Sequence, residues 1–125
     1  MNRLRYFSLI AIYCAMLLAP NAEAENDNYL LINLTSYTTP ESRKAIDYAK
    51  AELQKGRPVI IYLEEGSVMV AAKSNAKQFK DQQQHLTELM KNGAIVAACP
   101  HCLKRYKISD SDLLPGIQIA EVERK

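Results

Sequence analysis

Apolar runs of strand length recur along the chain, separated by amphipathic or polar segments. A run that is apolar without alternation is typical of a strand buried on both faces, so we predict Tyr29–Leu34 and Val59–Leu63 as buried strands. Ala94–Ala98 is predicted as a third strand, and Ile117–Ile119 as a short last strand. These four runs supply the candidate strands of a sheet.

The segment after the first strand carries the signals of a helix. Thr38-Thr39-Pro40-Glu41 combines a threonine cap, an early proline and an acidic first turn, which together favour a helix start. Ala45, Ala49 and Leu53 recur every four residues and are predicted to face inward. Gly56 is the expected stop.

A second helix is predicted from Asn75 to Lys91, with Gly93 as its stop. Its inward positions are predicted to be Phe79, Leu86, Leu89 and Met90. The short apolar stretch Val68–Ala72, which precedes this helix, matches neither a helical nor a strand pattern clearly.

Strands and helices thus alternate along the chain, which predicts the α/β class with a mainly parallel sheet. In such sheets, ligands bind where strands end and helices begin. Three loops are expected at that edge: Thr35–Thr39, Glu64–Ser67, and the loop that starts at Cys99.

Composition narrows the class of function. The chain has 125 residues, enough for one domain, and a net charge of +2, too small to indicate nucleic acid or an anionic membrane surface as a partner. It has no Trp and two Phe, which argues against a platform for base stacking. Three cysteines are an odd number, so at least one thiol stays unpaired in the chain as written.

The first 24 residues predict a secretory signal peptide. They combine a basic start, an uncharged apolar run and a small-residue cleavage site: Arg3 and Arg5, Tyr6–Ala19, and Ala22-Glu23-Ala24. An uncleaved membrane anchor is the weaker interpretation, since a spanning helix needs about 20 apolar residues. Cleavage after Ala24 would remove Cys14 and leave residues 25–125 as one domain, exported to an oxidising compartment such as the periplasm, with no stable membrane anchor.

The candidate chemistry lies in Cys99-Pro100-His101-Cys102. Cys99 follows a strand and precedes a proline, so we predict it as a helix N-cap, where free backbone N–H groups and the helix dipole stabilise a thiolate. Cys102 lies within one turn, close enough to attack a sulfur on Cys99 or to form a disulfide with it. His101 adds positive charge when protonated, and Lys104, Arg105 and Lys107 make the neighbourhood basic.

Three interpretations of this loop stay open. The first is reactive thiol chemistry at Cys99 and Cys102. The second is a zinc or copper(I) site using the two thiols and His101, although a closed zinc site needs four ligands. The third is a structural disulfide formed on export.

Side chains in the neighbouring loops have both functional and structural interpretations. Glu64 and Glu65 are either acid–base partners or solvated charges, and the second is favoured. Tyr62 and Tyr37 either flank the pocket or pack, and packing is favoured. A small anion at the sheet edge would find hydroxyl donors at positions 35–36, while His85 is predicted to be solvated.

Cys-Pro-His-Cys is also the active-site tetrapeptide of a strong periplasmic dithiol oxidant with a thioredoxin-like fold. Thioredoxin-like folds carry the motif early and continue into a long β-rich half. Here 23 residues follow Cys102, which is too few for that half. We interpret the tetrapeptide match as convergent.

The chain from about Tyr29 to Ile119 instead resembles the DsrE/DsrF-like family of small sulfur-handling proteins. The resemblance rests on features in family order: the Thr35-Ser36 loop, the helix end at Gly56, Glu65-Gly66-Ser67-Val68 after the second strand, Gly93-Ala94 opening the strand that ends in Cys99, Leu103-Lys104-Arg105, and the tail Ile108–Gly116.

The resemblance implies a flavodoxin-like three-layer fold, no nucleotide cofactor, homo-oligomers, and a cysteine at position 99 that accepts sulfane sulfur as a persulfide. The expected function is an exported sulfur carrier or thiol-redox protein, whose partner is a small sulfur-containing ligand or a thiol protein. Two features depart from the pattern of the best-known family members: the export signal and the second cysteine, Cys102. The alternatives are a periplasmic soft-metal binder and an oligomeric scaffold with a structural disulfide, and the sequence leaves open whether the protein turns over a substrate.

Overall fold

All four predicted strands occur in the structure, a computed structural model that describes residues 28–121. Its elements are β1 (Leu30–Leu34), α1 (Pro40–Gln54), β2 (Val59–Leu63), 3-10 turns at Glu65–Ala71 and Lys73–Asn75, α2 (Lys80–Lys91), β3 (Ile95–Ala98), α3 (Pro100–Arg105), a 3-10 turn at Asp110–Asp112, and β4 (Gln118–Ile119). The strands pair in parallel in the order β1-β2-β3-β4. The predicted α/β class and parallel sheet are confirmed, and the arrangement is consistent with a flavodoxin-like fold. The predicted signal peptide, with Cys14, lies outside the described residues.

The predicted signals at both ends of α1 are confirmed. The Thr39 hydroxyl accepts a hydrogen bond from the Ser42 backbone N–H at 3.1 Å, which satisfies one of the free donors at the helix start. Pro40 occupies the first helical position. Gly56 follows the helix end with a φ of 86°, a conformation that suits glycine. Ala49 is fully buried against the sheet, as the four-residue spacing predicted.

The predicted start of α2 at Asn75 is wrong, because the helix begins at Lys80. The Asn75 side chain donates to the Met69 carbonyl at 2.9 Å and so closes the preceding turn instead of capping a helix. The Gln83 carboxamide, which is buried, donates to the carbonyls of Val70 and Ala72 at 3.1 and 2.8 Å. These bonds fix the preceding segment as turns, and the helix starts after them.

Glu65–Ala71 is a 3-10 turn, where the sequence predicted a loop followed by an unassigned apolar stretch. The turn is buried at Ser67, Val68, Val70 and Ala71. The Ser67 hydroxyl is fully buried and shares its one proton between the carbonyl oxygens of Leu34 and Glu64. This turn therefore packs as part of the core and joins the ends of β1 and β2.

The two faces of the sheet differ in burial. Alternate strand residues form one core cluster with α1, α2 and the 3-10 turn: Ile32, Leu34, Val59, Ile61, Leu63, Val96 and Ala98. On the opposite face, Leu31 is 53% exposed and Ile95 45% exposed. The prediction that the first strand is buried on both faces is thus wrong, because α1, α2 and the 3-10 turn pack on one face of the sheet, and the opposite face is exposed even at Ile95 on the inner strand β3. Among residues 28–121, no helix has the length and apolar character needed to cross a membrane.

Candidate thiol site

Cys99 lies where β3 ends and α3 begins. Its backbone N–H donates to the Leu63 carbonyl at 2.9 Å, so the pairing of β3 with β2 extends to this residue. Cys99 is the N-cap of α3, and its Sγ accepts a hydrogen bond from the Cys102 backbone N–H at 3.4 Å. Pro100 is the first helical residue. The predicted placement of Cys99 at a helix start is therefore confirmed, with its side chain half-buried.

The surroundings of Cys99 favour its thiolate. Partial burial on its own raises the pKa of a thiol, but hydrogen bonds from the Cys102 thiol and backbone N–H outweigh it and lower the pKa of Cys99. The Tyr62 hydroxyl and the His101 backbone N–H act in the same direction. Cys99 is thus the cysteine of the pair that ionises first, and the thiolate is the nucleophilic form.

Cys102 has the opposite character. It is 6% exposed, and its Sγ accepts a hydrogen bond from the Glu65 backbone N–H at 3.2 Å. Burial and the neighbouring Cys99 raise the pKa of Cys102. Their combined effect is larger than that of the Glu65 backbone N–H, which lowers it. Because the two thiols interact, their proton losses belong to the pair. At neutral pH, Cys102 keeps its proton and donates it toward the Cys99 sulfur.

The three predicted loops meet at this edge of the sheet. The Ser67 backbone N–H donates to the Thr35 carbonyl at 3.1 Å, which joins the loops after β1 and β2. Glu65, in turn, joins the loop after β2 to the cysteine loop through its bond to Cys102. Its φ of 53° lies in the left-handed region, which is uncommon for a residue with a side chain.

The Glu65 carboxylate pairs with the Arg105 guanidinium at 3.1 Å, and both side chains are largely exposed. This arrangement agrees with the interpretation of Glu65 as a surface charge, since its backbone N–H and not its carboxylate contacts a sulfur. An exposed pair of this kind contributes little to stability, about 0 to 1 kcal/mol. The pair links the loop after β2 to α3.

His101 is exposed, and its backbone N–H is the group that faces the Cys99 sulfur. The nearby Lys104 and Lys107 are also exposed, so the predicted basic surroundings lie at the surface of α3. The Ser36 hydroxyl bonds to that of Thr38 within its own loop. His85 is exposed on α2, as predicted.

Tyr62 was predicted to pack, and its position near the Cys99 sulfur was missed. Burial and the Cys99 thiolate raise the pKa of Tyr62 to about 12, so the hydroxyl keeps its proton near that sulfur. The signal was present in the strand alternation, because Tyr62 and Cys99 both alternate with the buried residues that neighbour them in sequence, Leu63 and Ala98. The contact of Cys102 with the Glu65 amide had no comparable signal.

Two other interpretations of the cysteine pair can be compared with this geometry. Among residues 28–121, no three His, Cys, Asp or Glu side chains form a group able to hold a metal ion. In the same part of the chain, Cys99 and Cys102 are both free thiols. The structure thus describes a pair of unequal thiols.

Comparison with known proteins extends these observations. A family model described as the DsrE/DsrF-like family matches residues 27–124. An uncharacterized protein of Methanopyrus kandleri, MK0008, is 27% identical over 92 residues, which cover 73% of this chain and 76% of the relative. The family match takes in the whole sheet and the cysteine loop together.

Proposed function

The chain belongs to the DsrE/DsrF-like family, and we propose that it is an exported sulfur carrier or thiol-redox protein that reacts through Cys99. The family suggests a sulfur-relay or redox role. The observation that supports Cys99 as the reacting residue is the inequality of the pair: a half-buried thiol with a lowered pKa beside a buried thiol with a raised pKa. A nucleophile and a protonated partner are thereby assigned to different cysteines.

Sulfur uptake follows from the thiolate at Cys99. The thiolate attacks the outer sulfur of a donor persulfide, R–S–SH, and a new bond forms between Cys99 Sγ and that sulfur. The bond between the two donor sulfurs breaks, and the donor leaves as the thiolate RS⁻. The outer sulfur is transferred with its proton, so no net oxidation occurs. An acceptor thiolate that attacks the outer sulfur of the Cys99 persulfide then regenerates the Cys99 thiolate.

Cys102 provides a second outcome. When it loses its proton, its thiolate attacks Cys99 Sγ, forms the Cys99–Cys102 disulfide and releases HS⁻. The two thiols are oxidised and the outer sulfur is reduced, so electrons balance. A dithiol of a partner protein returns the pair to the reduced state by thiol–disulfide exchange, and itself becomes a disulfide. The raised pKa of Cys102 limits the fraction of Cys102 thiolate available for this reaction.

The proposal includes the cellular compartment and the partners of the protein. The pattern of residues 1–24 supports export to the periplasm, where a thiol pair can cycle with a partner thiol protein. The partner is a small sulfur-containing ligand or such a protein, and the family supports a homo-oligomer. Nucleic acid is not proposed as a partner, given the small net charge.

Intact-mass analysis tests this proposal. The purified protein, incubated with glutathione persulfide, should gain the mass of one sulfur atom, and peptide mapping should place it on Cys99. Cys99→Ser should gain none. Cys102→Ser is the matched control in the same loop, and it should keep the added sulfur longer because it cannot release HS⁻.

Other outcomes decide against the proposal. Sulfur uptake that persists in Cys99→Ser would refute the role of Cys99. A copper or zinc ion retained in the native mass spectrum would indicate a soft-metal binder. A Cys99–Cys102 disulfide that resists dithiothreitol and sulfur donors would indicate an oligomeric scaffold.

A further inference from the structure

Tyr62 lies on the same face of the sheet as Cys99. The register of β2 with β3 pairs Tyr62 with Ala97, and paired residues of parallel strands share a face. Val96 and Ala98 are buried in the core, while Ile95 and Ala97 are more exposed on the other face. Cys99 continues this alternation in an extended conformation, with φ −66° and ψ 121°.

Tyr62 and Cys99 are therefore diagonal neighbours across two paired strands. Paired strands lie about 4.8 Å apart and rise about 3.3 Å per residue, so an offset of two residues places the two backbones about 8 Å apart, a distance that an aromatic side chain can span. Ala97 lies between them and has only a methyl group there, so it leaves the path from the ring to the sulfur open. The Tyr62 side chain is half-buried, which partly shields the hydroxyl from water.

Other ionisable groups also face Tyr62 and the cysteine pair. Cys102, at the first turn of α3, and Glu64, which follows β2, face Tyr62, and both act to raise the pKa of its hydroxyl. Glu65 faces Cys102, and its carboxylate is paired with Arg105. Because its raised pKa keeps Tyr62 protonated, its hydroxyl is available as a hydrogen-bond donor on the side of the sheet where Cys99 lies.

We propose that the Tyr62 hydroxyl stabilises the anionic sulfur at Cys99 by donating a hydrogen bond, to the thiolate before sulfur transfer and to the persulfide anion after it. The second half of this inference rests on the proposed function, and the first half does not. Tyr62 is on this view an anion-stabilising residue that adds to the backbone donors of α3.

Alkylation kinetics test the first half without any sulfur donor. The rate of iodoacetamide addition to Cys99, followed by peptide mass spectrometry from about pH 5 to pH 10, reports the fraction of thiolate. Tyr62→Phe removes one oxygen and keeps the ring over Ala97. Below the Cys99 midpoint its alkylation should be about tenfold slower, because a hydrogen bond to a charged group is lost, while the rate at high pH stays unchanged. Tyr48→Phe, at an exposed position on α1, is the matched control and should follow the wild type.

The possible results separate the two proposals. Coincident pH profiles for Tyr62→Phe and the wild type overturn the role of Tyr62, even if Cys99 accepts sulfur. If the pH profile of Tyr62→Phe is shifted but the wild type accepts no sulfur, the role of Tyr62 at the Cys99 thiolate stands. The proposed function is then refuted, and with it the role of Tyr62 at the persulfide. If Tyr62→Phe does not fold, NMR resonances of the Tyr62 ring in the wild type decide, since they should move as Cys99 titrates and stay fixed if the hydroxyl makes no contact.

Discussion

Ser67 joins two of the loops that form the candidate site, and its removal should have a measurable cost. Its side chain is fully buried, and the hydroxyl lies 2.6 Å from the Leu34 carbonyl and 2.7 Å from the Glu64 carbonyl. The first carbonyl ends β1 and the second follows β2. Ser67→Ala removes the hydroxyl and leaves the backbone of the 3-10 turn in place.

The size of the effect follows from what remains bonded. The Leu34 carbonyl keeps the Glu64 backbone N–H at 2.9 Å, and the Glu64 carbonyl keeps the Ser67 backbone N–H at 3.2 Å. Neither carbonyl is left without a partner, so the upper range for an unsatisfied buried group, about 3 kcal/mol, does not apply. The expected loss is the net value of a hydroxyl hydrogen bond, about 1 to 1.5 kcal/mol of unfolding free energy.

Urea denaturation measures this loss as a shift of the midpoint at constant slope. Ser111→Ala is the matched control, because Ser111 is exposed and bonds only to the Ser109 hydroxyl among the described residues, so it should change stability by less than about 0.5 kcal/mol. A loss of about 3 kcal/mol or more would show that the two carbonyls are not otherwise satisfied. A loss no larger than that of the control would show that the hydroxyl contributes nothing, and either result refutes the reasoning.

Two further predictions concern polar groups elsewhere in the core. The buried Tyr37 hydroxyl has no hydrogen-bond partner within residues 28–121. Tyr37→Phe should therefore raise the unfolding free energy measured in urea by about 1 kcal/mol, while Tyr48→Phe, at an exposed position, should leave it unchanged. A Tyr37→Phe variant less stable than the wild type would contradict this. Burial acts to raise the pKa of Glu52, but hydrogen bonds and charge from Arg57 and Lys55 outweigh it and lower that pKa. A carboxylate whose pKa is lower in the folded than in the unfolded protein adds stability at pH values above its unfolded-state pKa. Glu52→Gln should therefore lower the Tm at pH 7, and the difference in Tm from the wild type should vanish as the pH falls through the folded-state pKa. A difference that stays constant in acid would exclude a charge effect.

The elements with local signals were predictable. The start of α1 depends on Thr39 and Pro40 and its end on Gly56, and each acts on its own neighbours in sequence. The start of α2 was not predictable in this way. It depends on bonds from Asn75 and Gln83 to the preceding turns, and those bonds exist only once the chain has folded back on itself.

Composition could not show which face of the sheet the helices cover. β1 is as apolar as β2, yet Leu31 is exposed because its face of the sheet is turned away from α1. Ile95, on the inner strand β3, is exposed on the same face, so the side on which the helices pack decides burial, and that side is a property of the whole chain. An apolar run therefore predicts a strand more securely than it predicts burial on both faces.

Within the site, the spacing of two cysteines in one turn predicts that they meet, but their unequal acidity follows from their positions. The donors are arranged in one direction: the Glu65 N–H points to Cys102, and the Cys102 N–H points to Cys99. Cys99 also faces Tyr62, while Cys102 is enclosed by the core. Because donors stabilise an anion and burial opposes it, the first proton leaves the cysteine at the helix start. The lowered pKa of Cys99 is thus a consequence of the strand end that holds it, and a variant that alters this end should change the acidity of both thiols together.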